Sequence, residues 1–521
     1  MTRKIKKVLV ANRGEIARRL IRACHELGCA TVAVYSDADA DALHVAEAGE
    51  RVRIGPPPPS ASYLSVAAII DAARGTGATA IHPGYGFLSE QPALAEACAA
   101  AGIVFVGPRP RTLAELGNKL AARAAAAKVG VPTVPGTLGA VTVGMGEGSA
   151  ARGSATDALQ RQADGVGYPL LIKAAAGGGG RGMRRVDDPA ELVGAAVAAS
   201  NEAAAAFGDG AIYIERYVER ARHVEVQLLG DELGTIVALG ERDCSIQRRH
   251  QKLVEEAPAP GIDAGQRRRL HGLGVEVARA VGLLNAATAE FLLTPSGEFW
   301  FLEVNARLQV EHGVTELVSG VDLVHEQLWL AAGRPLSPAV MAAAERAAEP
   351  VRHAIEARIS AEDPAHDFGP APGLISRWRP PAAENLRVDD DVAAGSLVST
   401  HYDPLLAKLM AVGPDRATAL ARLAGALADF EIGGVQTTLP FHRWLLEQPG
   451  FAAAIDLSTD FVARAWQPAP LAAVAALSAA EAVAAAWPVL HAQSEAERPA
   501  ADGGSAWWRD GLAAEIEERL R

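Results

Sequence analysis

Residues 169–183 read PLLIKAAAGGGGRGM, with four consecutive glycines shortly after a lysine that ends an apolar run. Glycine serves best where backbone must approach something closely or take a positive φ, and it costs folding entropy everywhere. Gly177, Gly179 and Gly182 formally fit G-x-G-x-x-G, but that fingerprint needs a helix directly after the loop. Here MRRVDD follows, with Pro189 behind it, so the next helix is expected to begin late, near Asp188. No Gly-Lys-Ser/Thr occurs in the stretch, which excludes a Walker-type loop. A strand, a glycine loop and a second strand remain. Successive unhindered amides can cradle phosphate oxygens, and Lys173 at the strand end adds positive charge. A mere linker is the competing reading, and linkers rarely follow a buried strand so tightly.

The chain has 521 residues, which suggests three or four domains at about 150 residues each. Its apolar fraction of 49% supplies a large core, and its formal net charge of −12 argues against a general nucleic-acid binder. Cys24, Cys29, Cys98 and Cys244 form no C-x-x-C pair, so a structural zinc site is disfavoured and a reducing compartment is expected. The opening MTRKIKKVLVANRGE is basic, but its apolar run is too short for a signal peptide. No run approaches the roughly 18 apolar residues of a membrane span. The expectation is a soluble, cytoplasmic protein with no nucleic-acid or membrane partner.

Outward from the glycine loop, elements alternate. KKVLVA, ATVAVYSD, ATAIHPGYG and IVFVG read as strands, and NRGEIARRLIRACHELG as a helix stopped at Gly28. Residues 1–115 therefore read as a doubly wound, Rossmann-like α/β domain. Its polar strand-end loops, ANRGE and HPGYGFLSE, lie where open parallel sheets bind ligands. Residues 136–166, rich in Gly, Ala and Ser, are expected to loop out. Strands then crowd together in LLIKA, AIYIERYV, HVEVQLLG and TIVALGERD. Further short strands from about residue 350 lead to STHYDPLLAKLMAVG and a helix in DRATALARLAGALADFEIGG. In the tail, PLAAVAALSAAEAVAAAW reads as a helix, SEAERPAADGGS as a joint and LAAEIEERLR as a short amphipathic end.

TAEFLLTPSGEFWFLEVN reads as a β-hairpin. A turn centred between Ser296 and Gly297 sets Glu290 opposite Glu303, with Cβ atoms about 4.5–5.5 Å apart. Two such carboxylates repel unless a divalent cation lies between them. Asn305 shares the face of Glu303, and an all-oxygen set suits Mg²⁺ or Mn²⁺ better than zinc. A solvated acidic face is the plainer reading. Phe299 and Phe301, expected on the same face, oppose it. From 303 to 312, EVNARLQVEH alternates, placing Glu303, Asn305, Arg307, Gln309 and Glu311 in one polar row. That row would be about 26 Å long if straight, so the chain must curl if one site uses all five. RDCSIQRRHQK, residues 242–252, reads by default as a solvated charge run, and phosphate neutralisation is the sharper alternative.

Taken together, these stretches resemble the biotin carboxylases of the ATP-grasp superfamily. ANRGEIA, HPGYGFLSE, IKAAAGGGGRGM, RHVEVQ, ERDCSIQRRHQK, EEAPAPG, EVNARLQVEH, EARISAEDP and YDPLLAKL come in the family's order across about residues 5–465. The resemblance implies an N-terminal domain over 1–115 and an ATP-grasp domain over 116–333 with a lid at about 133–220. A mixed α/β C-terminal domain would follow over 348–465, then an Ala-rich tail or connector over 466–521. It implies ATP contacts from Lys119 and Lys173 on the phosphates, Gly179 and Gly180 in the lid, Glu215 and Val218 at the adenine, and His223 and His250 at the nucleotide's border. Glu290, Glu303 and Asn305 would carry Mg²⁺ or Mn²⁺. Lys252, Arg307, Gln309 and Val310 would bind bicarbonate, Glu311 would be its general base, and Arg358 would meet the biotin ureido oxygen with Tyr85 nearby.

The implied activity is ATP- and bicarbonate-dependent carboxylation of carrier-bound biotin through carboxyphosphate, the first half-reaction of a biotin-dependent, acyl-CoA-type carboxylase. Another ATP-grasp carboxylate–amine ligase, or a noncatalytic nucleotide-binding subunit, is the alternative. The intact Lys173, Arg307, Glu311 and Arg358 oppose the noncatalytic one. The family's carriers present lysine within a Met-Lys-Met-like tip. No methionine here adjoins a lysine and none of the residues after Lys408 is a lysine, so a biotin carboxyl carrier protein on another chain is expected. A carboxyltransferase subunit and a homodimer or larger carboxylase complex complete the expected partners. Ala176, Gly313 and the length of residues 136–166 depart from the family's usual pattern.

Overall fold

The computed structural model describes residues 3–141, 149–175 and 183–467. Gly179, Gly180 and the tail elements expected beyond residue 467 lie outside the described residues.

Val8, Leu9 and Val10 are fully buried in the strand Lys7–Val10. Such a strand needs apolar cover on both faces, as parallel sheets do. It is central in a five-stranded sheet ordered Glu50–Gly55, Ala30–Ser36, Lys7–Val10, Ala80–His82, Val104–Phe105, and every pairing is parallel. The helix Gly14–Glu26 buries Ile16, Ala17, Leu20, Ile21 and Cys24 at helical spacing. This N-terminal sheet thus has the doubly wound arrangement expected. Gly84 illustrates a required glycine. Its φ is +63° and a Cβ there would come 3.0 Å from the Asn12 amide nitrogen. That amide donates to the carbonyls of Pro83 (2.7 Å) and Tyr85 (2.6 Å), joining the two strand-end loops.

The glycine loop joins the strands Leu170–Ala174 and Arg184–Val186, which pair antiparallel. Ile212–Arg216 lies on the other side of Leu170–Ala174. Asp188 caps a short turn of helix and the helix Leu192–Phe207 follows, the late start the sequence implied. Residues 136–166 are not simply a loop, since Ser149–Val166 is a helix. Its Leu159, Ala163 and Val166 recur at helical spacing and are buried against Leu170, Ile172, Leu192 and Ile214. The small-residue composition hid that stripe.

The largest sheet has eight strands in the order Phe299–Asn305, Asn285–Leu293, Arg222–Gly230, Ile236–Arg248, Gln251–Ala257, His353–Ser360, Leu405–Gly413, Leu386–Asp390. It runs without a break from the acidic hairpin to the strand of YDPLLAKL. Glu290 does face Glu303, but the register shifts beside this pair, because Phe291 faces Phe301 and Leu292 faces Trp300. Leu302 is the extra residue of a β-bulge. The turn is therefore offset from the expected centre, and the bulge restores the expected carboxylate pair. The same bulge overturns the expected face of the phenylalanines. Phe299, Phe301 and Val304 enter one core cluster, while Glu303 and Asn305 remain partly exposed on the opposite side. The strand ends at Asn305 and the chain curls before the helix His312–Ser319. On that helix a Cβ at Gly313 would lie 2.3 Å from the buried Met410 sulfur, so Met410 fills the space a side chain at 313 would take. Among the described residues no helix is long and apolar enough to cross a membrane.

Candidate active site

The site lies on one face of the eight-stranded sheet, where register sets charges side by side. Glu290 pairs with Glu303 on one side and Glu225 on the other. Glu225 pairs in turn with Arg242. Three neighbouring carboxylates on adjacent strands demand cations, and three basic groups supply them. Lys252 Nζ lies 2.6 Å from Glu225, 2.5 Å from Glu311 and 3.3 Å from Glu290. His223 Nε2 lies 2.9 Å from Glu290. Arg242, completely buried, donates to Glu225, Gln227, Thr288 and Thr315. Burial by itself raises a carboxyl pKa, yet Lys252 and His223 hold Glu290 well below the ordinary range, and Lys252, Arg358 and Arg242 do the same for Glu311.

The curl after Asn305 brings the polar row together. The amides of Asn305 and Gln309 donate to Glu290 at 2.7 and 3.3 Å. Arg307 donates to Gln309 at 2.8 Å and to the Asn305 oxygen at 3.3 Å. Glu311 is fully buried and accepts from Lys252 and, at 2.9 Å, from Arg358. All five members of the row therefore lie around one centre, with Glu303 at its edge, 2.7 Å from Lys119. Val310 contributes its carbonyl, which accepts from Lys408 at 2.9 Å.

Arg358 is held by Glu255, at 2.5 Å, as well as by Glu311. Burial pushes Glu255 up to about 7, with Arg358 opposing the rise and Glu311 adding to it. The Arg358 carbonyl accepts from Thr438 and His442, which fixes the backbone from which the guanidinium reaches inward. Tyr85 comes from the HPGYG loop and donates to Glu15.

Lys119 opens the helix Lys119–Lys128, where Asn118 caps the free amides. Lys173 lies 2.5 Å from Glu215. The Glu215 carboxylate is buried between Lys173 and Arg123, so that side chain anchors lysine. Val218 is half-buried just after the strand Ile212–Arg216. His250 is exposed at the turn between Ile236–Arg248 and Gln251–Ala257, with φ +67°. The 242–252 segment is thus no solvated charge run. Arg242 is buried, Lys252 enters the site, and Arg248 and Arg249 pair with Asp367.

Sequence reading did not single out Glu90, Glu225, Arg242, Glu255 or Lys408. Glu90 receives the Ala306 amide and the Arg307 guanidinium, at 3.2 and 2.9 Å. Glu225 and Glu255 interrupt apolar strands, where a buried carboxylate needs a cation, and that interruption was the available signal.

A lysine-bearing antiparallel sheet whose strands Leu170–Ala174 and Arg184–Val186 are joined in sequence by the glycine-rich stretch, together with an acidic hairpin, defines an ATP-grasp type of site. Comparisons with known proteins narrow this. Residues 4–113 match the biotin carboxylase N-terminal domain, 118–339 the carbamoyl-phosphate synthase L chain ATP-binding domain, and 356–464 the biotin carboxylase C-terminal domain. The chain is 48% identical over 459 residues to a biotin carboxylase of Nostoc sp., covering 88% of this chain and 99% of that protein. It is also similar to the solved biotin carboxylase–β,γ-ATP complex from Campylobacter jejuni, with TM-score 0.82 and 41% identity over 88% of this chain and 99% of that one. A second structure has the same TM-score of 0.82 at 41% identity, covering 88% of this chain and 97% of the other. It is the biotin carboxylase domain dimer of Hydrogenobacter thermophilus 2-oxoglutarate carboxylase with MgADP, ADP and bicarbonate. The chain belongs to the biotin carboxylase family.

Proposed function

We propose that this chain carboxylates the ureido nitrogen of carrier-bound biotin, using ATP and bicarbonate, as the first half-reaction of a biotin-dependent carboxylase. The observation that carries the reading is the convergence of Lys252, Arg307, Gln309, Glu311 and Arg358 beside an acidic hairpin. Lys119 and Lys173 meet the ATP phosphates, Gly179 and Gly180 are assigned to the same nucleotide, Glu215 and Val218 flank the adenine, and His223 and His250 border the nucleotide. The donor set of Glu290, Glu303 and Asn305 is all oxygen and so fits Mg²⁺ or Mn²⁺. Bound there, the metal supplies charge neutralisation on the phosphoryl oxygens.

Lys252, Arg307, Gln309 and the Val310 backbone orient bicarbonate. Glu311 takes its proton as the oxygen attacks the γ-phosphate, giving carboxyphosphate and ADP. Carboxyphosphate yields carbon dioxide and phosphate next to biotin, and the phosphate accepts the ureido proton. Arg358 stabilises the enolate-like oxygen through charge-assisted hydrogen bonds, with Tyr85 beside it. We further propose a cytoplasmic setting, an acyl-CoA-type complex, a carrier and a carboxyltransferase on other chains, and a homodimeric or larger assembly. Purified protein with Mg²⁺, ATP and high free biotin is expected to release ADP in proportion to added bicarbonate. ADP release equal with and without bicarbonate overturns the reading.

A further inference from the structure

We propose that Lys408 is a positioning residue that sets the backbone beside Glu311 and, through Glu15, the hydroxyl of Tyr85. The proposal rests on the reading of the site as a biotin carboxylase centre. Lys408 is completely buried in the strand Leu405–Gly413, paired in register with Arg358 on one side and Asp389 on the other. A buried ammonium is costly unless each of its donors finds an acceptor. Its Nζ donates 2.9 Å to the Val310 carbonyl and lies 3.1 Å from Glu15 and 3.7 Å from Asp389. Although burial opposes its charge, Glu15, Asp389 and Glu356 keep it protonated.

These three partners, one hydrogen-bond acceptor and two ion-pair carboxylates, belong to three distant parts of the chain. Val310 lies in the curled segment between Gln309 and Glu311. Glu15 lies in the first turn of the helix Gly14–Glu26, and its other oxygen accepts from the Tyr85 hydroxyl. One ammonium therefore ties the bicarbonate segment to the biotin-side tyrosine across the N- and C-terminal parts of the fold. Lys119 and Lys173 pair instead with Glu303 and Glu215, so the lysines assigned to the phosphates do not depend on Lys408. Displacements of about 1 Å at a reacting centre can cost roughly 100-fold, enough to read kinetically.

Lys408→Met alone leaves the Glu15 charge buried and unpaired. The double variant Lys408→Met/Glu15→Gln removes it, and Asp389 keeps Arg387 at 2.7 Å. Glu15→Gln alone retains the Val310 arm and alters the Tyr85 arm. Steady-state assays of each variant with ATP, bicarbonate and free biotin varied in turn separate the arms. The double variant is expected to raise KM for bicarbonate and biotin by about 10–100-fold with KM for ATP unchanged. Glu15→Gln is expected to raise KM for biotin alone. Equal changes in all three constants indicate general loosening and overturn the proposal, as does an unchanged biotin KM in Glu15→Gln. If the double variant does not fold, Glu15→Gln decides by the same criterion. Loss of bicarbonate dependence in the unmodified protein would instead remove the functional reading beneath it.

Discussion

Glu311→Gln separates proton transfer from binding and from folding. Glu311 accepts from Lys252 at 2.5 Å and Arg358 at 2.9 Å. The amide keeps one acceptor oxygen and turns the other position into a donor facing a cation, so about one charge-assisted bond is lost, worth ~1.5–3 kcal/mol. Neither cation is orphaned, because Lys252 keeps Glu225 at 2.6 Å and Arg358 keeps Glu255 at 2.5 Å. Removing the Glu311 charge also relieves its repulsion of Glu255, part of what raises that carboxyl to about 7. The variant is expected to fold and to bind ATP normally by calorimetry, with turnover lower by about 10²–10⁴-fold, the usual loss for a missing general base. The starting basicity of Glu311 sharpens the test. Held far below the ordinary carboxylate range by Lys252, Arg358 and Arg242, it is a weak base while those three cations surround it. Near-normal turnover in Glu311→Gln refutes the assignment, and ATP affinity falling in step with turnover refutes the separation.

Glu303→Gln removes one charge from the Glu290–Glu303–Asn305 set, so apparent Mg²⁺ affinity in ATP cleavage is expected to weaken while bicarbonate KM holds. A metal titration of ADP release checks this. Arg358→Ala is expected to reduce biotin carboxylation more than bicarbonate-dependent ATP cleavage, and equal losses would assign Arg358 an earlier or structural task. Glu316 is buried between Arg19 and Arg387, at 3.0 and 2.6 Å. Burial raises its pKa, but His312, Arg19 and Arg387 outweigh that and bring it from the ordinary 4.5 to about 2. A carboxyl lowered on folding stabilises the protein above its unfolded pKa, and that stability is lost as pH falls from about 4.5 toward 2. At ~1.4 kcal/mol per pH unit the contribution is of order 3 kcal/mol at pH 7. Glu316→Gln is therefore expected to lower the urea midpoint at pH 7 and to converge with the unmodified protein in acid.

What was legible in the sequence is what local periodicity controls. Short continuous apolar runs in KVLV and ATVAVYS and helical spacing in GEIARRLIRACHE suffice for a doubly wound sheet, and strict alternation in EVNARLQVEH marks a polar row that has to curl. The helix Ser149–Val166 escaped because Leu159, Ala163 and Val166 are thinly spread among small residues, a weak stripe inside a composition typical of loops. The hairpin is more instructive. Assuming an unbroken two-residue period placed Glu290 opposite Glu303 correctly, yet put Phe299 and Phe301 on their face. The bulge at Leu302 adds one residue and reverses the phase between phenylalanines and carboxylates. Nothing in the local pattern announces such an insertion, because both phases leave apolar residues in the strand. What selects the observed phase is non-local. Phe299 and Phe301 fill the core cluster with Val226, Leu270 and Val277, while Glu303 needs Lys119, far back in the chain. The same holds for Arg242 and Lys408, whose worth lies in partners on other strands. A lone basic residue in a strand reads as an exposed face until the sheet order sets Glu225 beside one and Asp389 beside the other. The chemistry-bearing residue types could be read in line. Their pairing, and hence which carboxylate is held ionised and which is raised toward neutrality, is a property of the eight-stranded sheet.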